Sequence, residues 1–184
     1  MLFVYVNDIL ALSHQAEGAI KEITEFFKAK DGSIKPPEIY LGANIEKIQL
    51  PDGRMVWSTS PRSYVKNSIL VIEQLLEEDN EGYVLKSNAR NPFPTGYKPE
   101  IDVTDELDQT LASRFMQLIG ILRWAVEIGR IDIYLETSLL SQYQANPRFG
   151  HLEAAYHIFA YLKKHQDMGR LAFDSHAPNI DESF

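Results

Sequence analysis

Two short apolar runs, residues 2–6 and 9–12, open the chain on either side of a polar Asn7-Asp8 pair. That pattern predicts a tight β-hairpin with Asn7 and Asp8 at its tip. From Ala16 to Lys30, Ile20, Ile23 and Phe27 recur at helical spacing while Lys21, Glu22, Glu25 and Lys28 fall elsewhere, which predicts an amphipathic helix ended by Asp31-Gly32. Pro51-Asp52-Gly53 lies between two β-prone runs, 39–50 and 55–59, and predicts a second hairpin.

Ser60-Pro61 has the form of a helix N-cap followed by proline in the first turn. The helix it starts is expected to reach about Glu78, with Tyr64, Val65, Ile69, Ile72 and Leu76 inward. Three further helical patterns follow at about 105–128, 131–145 and 149–165, with Asn146-Pro147 separating the last two. Gly169 to Asp174 predicts a closing strand. The expected class is α+β, with sheet and helix in the first 80 residues and helix in the rest.

Composition changes this picture little. The 184 residues are 45% hydrophobic and 24% charged, which describes a folded globular protein. The chain has no cysteine, so disulfide frameworks, thiolate zinc sites and cysteine nucleophiles are excluded. No apolar stretch is long enough to predict a membrane span. Histidines 14, 151, 157, 165 and 176 have no metal-ligand spacing and are expected as surface or capping residues, and no P-loop, G-x-G-x-x-G or G-x-S-x-G occurs.

The net charge of −8 argues against nucleic acid until its distribution is read. Residues 73–108 carry 10 acidic and 3 basic side chains, whereas 1–72 carry 8 of each. The excess sits in one acidic stretch and the flanks are near neutral, so charge neither supports nor excludes such a partner.

Three constellations carry candidate chemistry. Tyr5-Val6-Asn7-Asp8 stands between two strands, where a hairpin tip serves either as plain turn chemistry or as a holder of oxygen ligands for Mg²⁺. Tyr40-Leu41-Gly42 puts a glycine inside a strand pattern, which marks a bulge or a close approach by another chain. Gly120 falls in mid-helix with Trp124 one turn on, beside Arg123; the notch either seats a neighbouring helix or faces a nucleic-acid groove.

Their order along the chain resembles the C-terminal half of a reverse transcriptase. More narrowly it is similar to the copia-type LTR retrotransposon polymerase, whose hairpin reads Y-V-D-D, followed by F-L-G, V-G-S-L-x-Y-x-x-x-x-R-x-D-I and P-x-x-x-H-x-x-A-x-x-x-x-x-x-Y-L-K. The corresponding residues are Tyr5 to Asp8, Tyr40-Leu41-Gly42, Ile119-Gly120 to Trp124 with Arg130-Ile131-Asp132-Ile133, and Pro147 with His151, Ala154 and Tyr161-Leu162-Lys163. The likeness covers about residues 1–174.

The resemblance implies a partial palm over 1–80, an acidic connector over 81–104, a helical thumb-like lobe over 105–168 and, over 169–184, the start of a strand or linker toward a ribonuclease H region. It implies catalytic positions at Asn7 and Asp8, a primer-grip-like segment at Tyr40, Leu41 and Gly42, and template–primer contacts at Gly120, Arg123 and Trp124. The implied cofactor is Mg²⁺, with Asp8 its one ligand here. Implied partners are an RNA–DNA hybrid or DNA duplex and the remainder of the Pol polyprotein, without a membrane; the implied location is intracellular, in a cytoplasmic particle and the nucleus.

Asn7 replaces the first aspartate of the motif, keeping an amide oxygen and losing the anionic charge of a two-metal site. The third carboxylate of such polymerases comes from an upstream strand, so a fragment without polymerase activity alone is expected. The edge along Leu2 to Val6 is expected to be an association site. The competing expectation is an α+β protein-interaction domain in which Gly120 and Trp124 pack helices.

Overall fold

The computed structural model describes residues 2–6, 8–11, 15–78, 84–85 and 89–173. The chain is α+β, with a two-stranded and a four-stranded antiparallel sheet among the described residues. The first hairpin pairs β1 (Leu2–Tyr5) with β2 (Asp8–Ala11), and α1 (Ala16–Phe26) follows. Phe27 is already extended, so the helix stops four residues short of Lys30, and α1 buries none of its residues. Phe27, expected on the inward face, is exposed: the chain has already left the helix there, and the contacts α1 makes among the described residues are chiefly with β2.

The second sheet orders its strands β3 (Ile39–Tyr40), β4 (Ala43–Gln49), β5 (Met55–Ser60) and β6 (Leu171–Phe173). The expected turn at Pro51-Asp52-Gly53 joins β4 to β5. The closing strand β6 falls where 169–174 predicted one, and it returns to pair with β5. The last residues of the segment expected to lead onward, 174–184, lie outside the described residues.

Helix α2 (Arg62–Glu78) begins as expected, with Ser60 Oγ accepting from the Arg62 amide at 3.3 Å and Asn44 Oδ1 from the Ser63 amide at 3.0 Å. Helix α3 (Gln109–Glu127) starts later than expected because Asp108 caps it, its carboxylate accepting from the Leu111 amide at 2.8 Å. The pattern over 131–145 resolves into a 3-10 turn at Ile131–Ile133 and α4 (Tyr134–Ser141).

Phe115, Leu118, Ile119 and Leu122 of α3 follow the i, i+3, i+4, i+7 rule and are fully buried. Helix α5 (Phe149–Lys164) is buried almost all round, from Leu152 to Leu162 except Glu153 and a half-buried His157, and so forms the axis of the core. Val65, Ile69, Ile72 and Leu76 of α2 join the same cluster. So do Leu85 and Ala89, with Phe93 and Tyr97 packed against it, so the stretch expected as a connector contributes core residues.

The N-terminus of α5 gives His151 a structural role. His151 is 1% exposed; its Nδ1 accepts from the Arg148 amide at 3.1 Å, Nε2 lies 3.2 Å from the Pro99 carbonyl, and the ring stacks on Tyr143. Gly150 donates its amide to Thr104 Oγ1 at 2.9 Å, and a Cβ on it would strike the Asp102 carboxylate. Gly150→Ala is therefore expected to cost about 1–3 kcal/mol in urea denaturation, by pushing the 99–104 segment off the helix. Burial alone would raise the Asp102 carboxyl, but hydrogen bonds from Thr104 and Tyr97 outweigh it and hold the group below the ordinary carboxylate range.

Candidate functional site

The Tyr5↔Asp8 pairing sets the geometry of the first hairpin. Asp8 opens β2 instead of standing in the turn, which corrects the expected tip by one position, and Asn7 lies outside the described residues. Val6 takes a φ of 52°, a conformation that a β-branched residue adopts only under constraint. Asp8 is exposed, and among the described residues no three His, Asp or Glu side chains gather as a metal-holding group. A single carboxylate does not fit a two-metal site.

The glycine of Tyr40-Leu41-Gly42 also has a different cause from the one expected. Tyr40 pairs with Ala43, so Leu41 and Gly42 form a two-residue hairpin turn between β3 and β4 and not a bulge. Leu41 has φ 51° and Gly42 φ 87°, the pair of positive angles that a type I′ turn demands. Glycine also keeps the turn close to its neighbours: a Cβ on Gly42 would meet the Tyr64 ring at 3.4 Å and the Trp124 indole nitrogen at 3.7 Å.

Trp124 brings these segments together. Its indole N–H donates to the Leu41 carbonyl at 3.2 Å across 83 positions of sequence. The Tyr5 ring stands 6.1 Å from the same indole, tilted by 48°. Tyr64, half-buried beside Gly42, donates its hydroxyl to the Ile121 carbonyl at 3.2 Å, and burial raises its pKa. One indole thus contacts the strand that precedes Asp8, the Leu41-Gly42 turn and its own helix. Neither sequence expectation for Trp124 describes this: it is half-buried, neither a bundle core residue nor a free platform.

Gly120 does not seat a helix. Among the described residues, nothing beyond its own helix lies within 4 Å of a Cβ built on it, and Met116, Gly120, Arg123 and Glu127 form an exposed stripe along α3. A glycine with open space around it costs helix stability and serves no packing there. Gly120→Ala is expected to raise stability by about 1 kcal/mol, read as a higher denaturation midpoint at unchanged slope. Beside this stripe a cavity of about 390 Å³ opens between Ile39, Gly42, Tyr64, Asn67, Val71 and Ile121.

Sequence reasoning placed Tyr64 on an inward face without seeing that its ring and hydroxyl brace Gly42 and α3; nothing in periodicity marks such a contact. It also gave no role to Arg130, which is 0% exposed. Arg130 binds Asp132 through Nε and Nη2, both at 2.8 Å, and the His165 carbonyl through Nη1 at 3.0 Å. Tyr161 donates to the same Asp132 carboxylate at 3.0 Å. The R-x-D-I and Y-L-K segments are therefore joined by one buried ionic network that holds α5 to the end of α3. No helix among the described residues is long and apolar enough to cross a membrane. No protein-family model, no curated protein and no solved structure matches this chain.

Proposed function

We propose that the chain is a reverse-transcriptase-type palm and thumb segment, similar to the copia-type retrotransposon polymerase, whose function here is to hold a template–primer duplex. The observation that carries this reading is the convergence on Trp124 of the hairpin bearing Asp8 and the Leu41-Gly42 turn, beside an α3 face left open at Gly120. An exposed helix face without a Cβ at its centre lets a sugar–phosphate backbone approach closely, and Arg123 on the same stripe supplies a cation for one phosphate.

In this reading Trp124 positions the hairpin and the turn and does not stack on a base. Asn7 in place of the first aspartate, with Asp8 the one carboxylate of the motif, leaves the segment binding without polymerase activity of its own. Mg²⁺ belongs to the family likeness, and no catalytic step is assigned to it here. The rest of a Pol polyprotein and a cytoplasmic particle and nucleus as its place of action come from the same likeness.

A salt titration of binding to a labelled RNA–DNA hybrid tests the reading, with folding followed by circular dichroism. Binding that weakens with salt, with a slope reduced by about 0.9 in Arg123→Ala, is expected. A folded chain that binds no hybrid at low salt overturns it and leaves a protein-interaction domain.

A further inference from the structure

Among the described residues, one face of the four-stranded sheet carries a row of exposed apolar side chains. Pairing of Lys47 with Trp57, Gln49 with Met55, and Trp57 with Phe173 places Lys47, Gln49, Met55, Trp57, Leu171 and Phe173 on that face. Phe173 is 58% exposed, Met55 60%, Leu171 43% and Trp57 40%, a contiguous apolar patch and not scattered side chains. Trp57 and Phe173 face each other directly across neighbouring strands, and the Lys47 ammonium stands 5.0 Å from the Trp57 ring centroid.

Charge selects the occupant. In a chain of net charge −8 these six residues include no carboxylate and one ammonium. Adjacent exposed aromatics on an antiparallel sheet, with a cation beside them, are the device by which sheets stack unpaired bases while a basic side chain meets the phosphate. We propose that this face binds single-stranded nucleic acid, one base against Phe173 and Trp57 and its phosphate at Lys47. The surface is separate from the α3 stripe and takes a different ligand, so it stands or falls independently of duplex binding.

The test uses a labelled oligo-dT of about 12 nucleotides. Anisotropy is followed for the wild-type chain, Phe173→Ala, Lys47→Gln and Arg123→Ala, and Trp57 emission is followed in a Trp124→Phe background. Expected results are quenching of Trp57 at low salt and roughly tenfold or greater weakening in Phe173→Ala. Lys47→Gln should flatten the salt slope by about 0.7 while Arg123→Ala leaves binding unchanged. Absence of quenching at low salt overturns the proposal, as does unchanged binding by Lys47→Gln, an exposed substitution that leaves the fold intact. Concentration-dependent dimerisation of the wild type, lost in Phe173→Ala, overturns it in favour of a self-association face.

Discussion

Arg130→Met is expected to lower stability by about 3–5 kcal/mol, because it leaves the Asp132 carboxylate without its cation in a place water reaches poorly. The same substitution removes the donor to the His165 carbonyl and the side chain against which Gly169 is packed, so the return from α5 to β6 loosens as well. Urea denaturation checks this, with a lower midpoint and an unchanged slope as the expected result. Asp132→Leu combined with Arg130→Met should recover much of the loss, since a pair removed together leaves no orphaned charge.

The network also fixes the sign of a pH dependence. Burial by itself would raise the Asp132 carboxyl, yet the Arg130 guanidinium and the Tyr161 hydroxyl outweigh it and hold the group below the ordinary carboxylate range. A depressed folded pKa gives stability that is fully present above the unfolded value of about 4 and is lost as pH falls through the folded value. Tyr161 shifts the other way: burial and then the Asp132 charge raise it, so the phenol stays protonated and donating across the neutral range. In Arg130→Met the acid-side loss of stability should shrink, because the carboxyl is no longer held ionised.

Trp124→Ala has the second largest expected effect, about 2–3 kcal/mol. The indole is half-buried, so its transfer contribution is below that of a core tryptophan, but its removal also strips the Leu41 carbonyl of its donor and the Tyr5 ring of its partner. Trp124→Phe separates the two parts: it keeps an aromatic ring and loses the N–H, so about 1 kcal/mol is expected. Hybrid affinity should fall in both variants, and more in the alanine one, because the hairpin and the Leu41-Gly42 turn lose their common support. Arg123→Ala, on the exposed stripe, should leave stability within about 0.5 kcal/mol while affecting affinity alone.

Much of the architecture was visible in the pattern of residues. The Ser60-Pro61 start of α2, the Pro51-Asp52-Gly53 turn and the inward face of Val65, Ile69, Ile72 and Leu76 depend on local rules, and local rules are written in neighbouring residues. The failures are tertiary. Alpha-helical periodicity runs on through Phe27, but α1 buries none of its residues and ends at Phe26. The Gly42 position reads as a strand glycine until the two-residue register of β3 and β4 makes it a turn.

The candidate site shows the same division. Sequence order singled out Tyr5, Leu41, Gly42 and Trp124, and these do come together; Asp8 lies one position from its expected place, and Gly120 has open space instead of a neighbour. What order alone did not carry is the role of each. His151, Arg130 and Tyr161 lie in segments that the sequence analysis reads as motifs, and in the fold they cap and clamp α5. A motif residue placed for structure and one placed for chemistry look alike along a chain, because both are polar groups at fixed spacing, and burial separates them.

The contact on which the candidate site turns is Trp124 Nε1–H to the Leu41 carbonyl, with Tyr5 against the same ring. Amide hydrogen exchange compared between the wild-type chain and Trp124→Ala measures it directly. Protection lost together over 2–11 and 39–43, with α5 amides unchanged, is the result expected if one indole holds both segments. A first hairpin that exchanges identically in the two proteins would contradict it, and would separate the Asp8 hairpin from the turn and from the open face of α3.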